Sequence, residues 1–292
     1  MLSMERISNK SRDFGLESIQ SLTSLLYRQK CTLSPDDQAI IDDLHQNGVH
    51  VTSLEHLFEE ASKNIMEVFA NVAADLEISG RSNMPHHMQE KACSVDMVGS
   101  DIISKYPEIF FLGLSQRILN IAETYLGLPA AYHGVALRRS LVDGMETGPR
   151  LWHKDAEDFR VVRIVVYLND VETAGGGPFE YVPRSYGLRY KQLNGIDGKL
   201  TEENMLKVVP HNVMQQCYGK AGTVIIADTA NTFHHEKLQV TQQRSVAMFG
   251  FSTRLPKSLS LAKSHFPAEA IEDQLKPLLS PSQLPYVYGW RK

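Results

Sequence analysis

Apolar residues recur at helical spacing through the first part of the chain, and the residues between them suit helix ends. Phe14, Ile19, Leu22 and Leu25-Leu26 follow one helical period. Ser34-Pro35-Asp36-Asp37 reads as a helix start: a capping hydroxyl, a proline whose missing N–H costs nothing there, and acids at the positive end of the dipole. That helix carries Ile40, Ile41 and Leu44 and stops at Gly48. Val49-His50-Val51 reads as a short strand. Thr52-x-x-Glu55 then reads as a capping box, opening a longer helix along Leu54, Leu57, Phe58, Ala61, Ile65 and Phe69. Residues 80–100 lack a period and contain Met84, Pro85, Met88, Met97 and Gly99; a further helix is expected over about 107–126, ending at Gly127. After Pro129 the pattern becomes short β-type runs at 132–141, 151–155, 161–168, 179–182, 223–227, 232–235 and 244–253, with turn residues between them.

Helices followed by many short strands predict an α+β protein whose core is a closed or sandwiched antiparallel sheet. The chain has 292 residues, which a single large β-rich domain can reach, and no linker or internal repeat divides it. One domain over 1–292 is expected, with a helical part at about 1–128, a strand core at about 129–255 and a C-terminal helical extension at about 256–292. A hydrophobic content of 42% supports a sizeable core. A net charge of -4 with a pI near 6.3 provides no basic field to recommend nucleic acid as a partner. No apolar run approaches the ~20 residues that span a bilayer, so no membrane partner is expected. The first residues lack the apolar stretch of a secretory signal, and Glu5, Asp13 and Glu17 are at odds with a transit peptide. Cys31, Cys93 and Cys217 form no C-x-x-C pair and read as reduced thiols of a cytoplasmic protein. The sequence carries no signal for oligomeric state.

The candidate chemistry lies in His153-Lys154-Asp155, in Phe233-His234-His235, and in Arg244 beyond them. Residues two apart on a strand share a face, so His153 and Asp155 reach one point. A histidine from a distant strand would complete two imidazoles and one carboxylate, a facial triad that leaves coordination positions open and commonly holds non-haem Fe(II). A bare H-x-D is common; Trp152 before it, the apolar strand after it and the basic residue beyond the second histidine add its weight. His234 and His235 are strand neighbours and face opposite ways, so only one can join. Bland readings apply to other residues. His133 and His211 read as hydrogen-bonded core histidines, Glu157 and Asp158 as polar residues of a surface turn, and Asp228 as a turn cap. Gly175-Gly176-Gly177 reads as a tight turn, because no Lys-Ser/Thr pair follows as in a phosphate loop. His86-His87 are either solvated or at a substrate entrance, and 80–100 is either a surface connection or an adaptable cover over the site.

Several segments together resemble the phytanoyl-CoA dioxygenase-like branch of the Fe(II)/2-oxoglutarate oxygenases. They are Trp152-His153-Lys154-Asp155, Val166–Val171, Gly177–Ser185, Gly222–Asp228, Phe233-His234 and Arg244, in that order, over roughly 130–255. The resemblance implies a double-stranded β-helix (jelly-roll) core buttressed by the N-terminal helices. It implies Fe(II) on His153, Asp155 and His234, the last because the ligand follows an aromatic residue and precedes the arginine by about ten residues. It also implies 2-oxoglutarate and O2 as cosubstrates, with Arg244 forking the far carboxylate of 2-oxoglutarate. Two departures stand out. Many relatives have a small hydroxyl residue where this chain has Glu236, and the family's Pro-Gly-Ser-His is here Pro183-Arg184-Ser185-Tyr186.

The function implied is hydroxylation of a small-molecule metabolite with release of succinate and CO2. The alternatives are another radical oxidation (desaturation, epoxidation or cyclisation), a cupin-like metal enzyme without 2-oxoglutarate, and a non-catalytic binding module. Asp155 argues against halogenation, which needs room for chloride at that position. Arg138, Arg139, Arg160, Arg163 and Arg184 surround the motifs, and alternation lets only one of the first two face inward. An inward arginine needs a counter-charge, either an acid such as Glu180 or an anionic group on the substrate.

Overall fold

Two antiparallel sheets face each other, and helices cover the outer side of the larger one. The computed structural model describes residues 2–27, 33–79, 94–96, 100–193, 198–239, 241–264 and 269–291. The larger sheet runs in the order β1 (Val49–Ser53), β7 (Thr223–Asp228), β4 (Val162–Tyr167), β9 (Arg244–Thr253), β3 (Ala130–Ser140) and β2 (Ser94–Asp96). The smaller runs β6 (Gln215–Cys217), β5 (Phe179–Tyr181) and β8 (His234–Glu236).

Alternation sorts the side chains of the larger sheet. Ile164, Val166, Val224, Ile226, Phe249 and Phe251 pack outward against Ile40, Leu44, Ile121, Tyr125 and other helical residues. Val165, Tyr167, Ile225, Ala227 and Val246 point the other way and meet Phe179 and Cys217 of the smaller sheet. Each valine, isoleucine or phenylalanine among them contributes about 1.5–3 kcal/mol by leaving water, so the two cores fix which face of each strand looks into the molecule. A register shift between Tyr132 and Val135 interrupts the β3–β9 ladder, at Gly134 with φ 93°.

Several elements differ from the sequence reading. Helix Pro35–Gln46 is capped by Ser34, whose Oγ accepts from the Asp37 N–H at 3.1 Å. The next cap is Ser53, which accepts from the His56 N–H, while Thr52 stays in β1. The long helix expected after it is two, Leu54–Phe58 and Ala61–Ser79, parted at Glu59 with φ 47°. The helix expected at 107–126 is likewise Pro107–Leu112 and Gln116–Leu126. Gly113 lies at that break, beneath the Tyr132 ring: a Cβ there would lie 2.5 Å from the hydroxyl oxygen. Helix Leu2–Leu26 forms, but Phe14, Ile19, Leu22 and Leu25 are exposed and Gln20 is buried instead. The strand expected at 151–155 is reduced to two bridges, Trp152 with Leu200 and His153 with His234. β2 and β6 carried no recognised signal. The segment 80–100 lies outside the described residues except for β2 and Ser100, so His86, His87 and Cys93, like Cys31, are outside them too. Among the described residues no helix is long and apolar enough to cross a membrane.

Glu157 and Asp158 are not surface residues, since both are buried. Asp158 accepts from the Gln20 amide (2.9 Å), the Phe159 N–H (2.9 Å), and the N–H and hydroxyl of Thr253 (2.9 and 2.7 Å). It thus ties the first helix and the end of β9 to the loop that follows the H-x-D motif. Replacing it by alanine strands several buried donors, each costing about 1–3 kcal/mol. Asp158→Ala is expected to destabilise the protein by about 3 kcal/mol or more in urea unfolding, and Asp158→Asn by less. A loss below about 1 kcal/mol for the alanine variant would refute this role.

Candidate metal centre

The smaller sheet is extended by a single residue of the H-x-D motif. His153 and His234 exchange both backbone hydrogen bonds, at 3.0 and 3.1 Å, so they stand directly opposite one another. Their rings lie 4.4 Å apart, centroid to centroid. The chain then leaves the sheet: the Asp155 N–H donates to the Thr229 carbonyl at 2.9 Å, on the loop after β7. The Asp155 carboxylate comes within 3.8 Å of His153 Nε2, and one potential ligand atom from each of His153, Asp155 and His234 lies within 4.8 Å of the others.

Both rings are oriented for ligation. His153 Nδ1 donates to the Leu151 carbonyl at 2.7 Å and His234 Nδ1 to the Thr232 carbonyl at 3.0 Å. With Nδ1 committed to a carbonyl, the lone pair of each ring is at Nε2. Burial, followed by the charge of the neighbouring His234, pushes the His153 pKa down to about 3. Burial lowers His234 as well. Burial alone would push the Asp155 carboxyl up, but Arg163 and the two histidines outweigh it and hold Asp155 below the usual carboxylate range. Two neutral imidazoles and one carboxylate are the donor set of a divalent-metal site.

His235 is turned to the opposite face of β8. Its Nδ1 is 2.9 Å from the Arg150 carbonyl, its Nε2 is 2.7 Å from Glu180, and its ring stacks on Trp152 with centroids 4.0 Å apart. Both nitrogens thus face acceptor oxygens, and neither presents a lone pair to the cavity. Glu180, Glu202 and His235 form a second group that could hold a cation, but the Lys237 ammonium already lies 3.1 and 3.2 Å from the two carboxylates. Reading the motif for one inward histidine gave no sign of this outer cluster, although strand alternation puts Glu180 opposite His235.

Arg244, the first residue of β9, is buried. Its Nη1 donates to the Gly177 carbonyl at 2.7 Å, and its Nη2 pairs with Glu236 at 2.5 Å. The triad, Glu236 and Arg244 line one cavity of about 340 Å³. Of the five arginines singled out in the sequence, Arg138 and Arg163 line that cavity, whereas Arg139 is buried at the next position of β3. Arg160 donates to the Tyr125 and Leu126 carbonyls at a helix end. Arg163 pairs with Asp155 and Glu157, and Gly250 gives it room: a Cβ there would lie 2.1 Å from Nη1. Arg184 bonds the Tyr125 hydroxyl and Asp228. Asp228 caps its turn by accepting from Asn231 at 2.8 Å, and being fully buried it also holds Tyr125. His133 is a buried core histidine bonded to Ser252. His211 is exposed instead, in a turn after Pro210 rather than on a strand. Cys217 is free and buried, and burial pushes its thiol up to about 12.

No protein-family model matches the chain, and no curated protein matches it in sequence. Solved structures do match. EctD from S. alaskensis, in its apo form, is 18% identical with a TM-score of 0.53 over 78% of this chain and 80% of that one. The non-heme alpha ketoglutarate dependent epimerase SnoN from nogalamycin biosynthesis is 13% identical with a TM-score of 0.52 over 76% and 84%. The likeness is one of fold. EctD has also been crystallised with Fe and with 2-oxoglutarate and 5-hydroxyectoine, and SnoN with Fe3+, alpha ketoglutarate and nogalamycin RO.

The outer cluster has a pH signature. Burial pushes the Glu180 carboxyl up, but bonds from His235 and Gln216 and the charge of Lys237 outweigh it and hold it at about 2, below an ordinary value of 4.5. A depressed carboxylate contributes stability that is complete above the unfolded pKa and is lost as pH falls through the folded one. Unfolding followed by circular dichroism should therefore show stability lost between about pH 4.5 and about 2, and Glu180→Gln should flatten that limb. An unaltered acid limb in the variant would contradict this.

Proposed function

We propose that this chain is an Fe(II)/2-oxoglutarate-dependent oxygenase, similar to the phytanoyl-CoA dioxygenase-like enzymes, that hydroxylates a small molecule. Its two facing sheets would be the halves of a jelly-roll. The observation that carries the reading is the convergence of His153 Nε2, His234 Nε2 and the Asp155 carboxylate on one cavity that Arg244 also lines. EctD and SnoN support it, because proteins of this fold are crystallised with both iron and 2-oxoglutarate.

The residues present suit both groups. His153, Asp155 and His234 would hold Fe(II) and leave positions for 2-oxoglutarate and O2. Arg244 would bind the far carboxylate of 2-oxoglutarate through its planar fork. When bound, iron with 2-oxoglutarate and O2 supplies an oxidant strong enough to remove hydrogen from carbon, with succinate and CO2 as coproducts. The chain's own part is to fix the donor atoms. The carbonyls of Leu151 and Thr232 orient the imidazoles, and Arg163 keeps Asp155 ionised. Hydroxylation is the default outcome. The alternative is another radical oxidation on the same scaffold, such as desaturation, epoxidation or cyclisation. SnoN, an epimerase, illustrates that proteins of this fold are not confined to hydroxylation.

For the substrate we infer a small molecule with at least one negative group. Arg138 lines the cavity, and Lys199 is close enough for its charge to act on His153. Arg138→Ala is expected to raise KM for an anionic substrate about tenfold or more with kcat little changed. An unchanged KM would remove Arg138 from substrate binding.

Iron-loaded protein supplied with ascorbate and 2-oxoglutarate should release succinate. His234→Ala should weaken divalent-metal binding by more than about 100-fold, while His235→Ala should retain the metal. Arg244→Leu should keep the metal but lose affinity for 2-oxoglutarate, with Arg244→Lys restoring only part of it. No succinate from wild-type protein with bound iron would leave a binding module. Metal loss in His235→Ala alone would move the ligand assignment.

A further inference from the structure

The cation that should receive the cosubstrate already has a carboxylate on it. Glu236 lies two residues beyond His234 on β8, and its Oε2 sits 2.5 Å from Arg244 Nη2, both side chains being buried. The other edge of the guanidinium is fixed: Nη1 donates to the Gly177 carbonyl at 2.7 Å. Nε, which shares with Nη2 the edge that forks a carboxylate, is buried and has no hydrogen-bond partner among the described residues. Glu236 therefore uses half of the fork.

Glu236 has partners besides Arg244. Its second oxygen, Oε1, accepts from the Gln239 amide and faces Arg150 Nε at 3.7 Å. Those contacts do not involve Arg244, so the carboxylate keeps a donor and a cation when Oε2 moves away. Gln239 is itself buried, and its Oε1 has no partner among the described residues. Gly177 makes the approach feasible: it has φ 71°, and a Cβ there would lie 2.3 Å from Gln239 Nε2. One glycine thus supplies the carbonyl that anchors Arg244 and the space that Gln239 needs to hold Glu236.

We propose that Glu236 is an internal ligand of Arg244, competing with the far carboxylate of the cosubstrate and setting the chain's affinity for it. The inference rests on the reading of Arg244 given above. Two carboxylates cannot share one fork, so 2-oxoglutarate binds fully only to molecules in which Oε2 has left Nη2. Apparent affinity falls by the fraction of molecules in that state. The discrimination of the site for 2-oxoglutarate over a 2-oxo acid lacking the far carboxylate, such as pyruvate, shrinks as well. The far carboxylate gains only the difference between its own contact with Arg244 and the one Glu236 gives up. Glu236 is thereby a specificity-determining residue, reached from the sequence only as an unexplained departure from the small hydroxyl of many relatives.

The experiment is calorimetric titration of 2-oxoglutarate, and separately of pyruvate, into Ni(II)-loaded protein, with metal content confirming the site in each form. E236Q keeps the shape of the side chain without its charge, and E236T restores the small hydroxyl. Both are expected to bind 2-oxoglutarate about tenfold or more tightly than the wild type, with pyruvate affinity unchanged. A crystal structure of wild-type protein with Ni(II) and 2-oxoglutarate tests the same point without any substitution, and is expected to show Oε2 away from Arg244. Equal 2-oxoglutarate affinity in all three forms overturns the inference and leaves the proposed function standing. Glu236 still on Nη2 beside bound 2-oxoglutarate does the same. Failure of every metal-loaded form to bind 2-oxoglutarate overturns the inference and the cosubstrate reading together.

Discussion

The site depends on the pair of backbone hydrogen bonds between His153 and His234. An antiparallel bridge puts two side chains on one face without asking anything of their chemistry. The carbonyls that orient the imidazoles lie two residues upstream on the same two segments, so the bridge that brings the rings together also sets how they are turned. Asp155 joins because its segment bends away to the Thr229 carbonyl instead of continuing the ladder. The site is therefore less a feature of one strand than of the point where three segments leave one another.

Around that point the charges are arranged in pairs. Arg163 stands between Asp155 and Glu157, Arg244 against Glu236, Arg184 against Asp228, and Lys237 between Glu180 and Glu202. Buried charges demand such partners, since leaving one alone costs several kcal/mol, on the order of 3–5. The consequence for reading function is that a cation near a cavity is informative only after its in-chain acids are counted. Arg160 and Arg184, which from the motif pattern look like substrate contacts, hold helix Gln116–Leu126 to the sheet instead.

What was legible in the sequence followed from periodicity and from residue types with few uses. The strands of the larger sheet from β3 onward were visible because β-branched and aromatic residues alternate there with turn residues between. His153 and Asp155 stood out by their spacing on one strand. The choice of His234 over His235 and the role of Arg244 came from the family resemblance, since strand alternation alone leaves the two histidines open. Less legible were features decided by a single contact across the fold. The helix break at Gly113 depends on the Tyr132 ring, and the burial of Gln20 depends on Asp158 and Thr253. Asp158 looked like a turn residue because local sequence cannot show that the N-terminal helix will cover it. β6, three residues long and polar at two of them, carries almost no period to find.

β8 is only three residues long, and each one faces a different neighbour. His234 turns to the cavity, His235 to the outer carboxylates, and Glu236 to the arginine of β9. Two consecutive histidines make the strand unusual under deletion of one residue from the loop before it. Loss of one residue brings His235 into the place of His234, which reverses every side chain yet still presents an imidazole toward His153. The same shift carries the acid away from Arg244 and puts Glu236 among the carboxylates Glu180 and Glu202. Shortening of that loop is thus coupled to occupancy of the guanidinium more tightly than to the presence of a histidine at the centre.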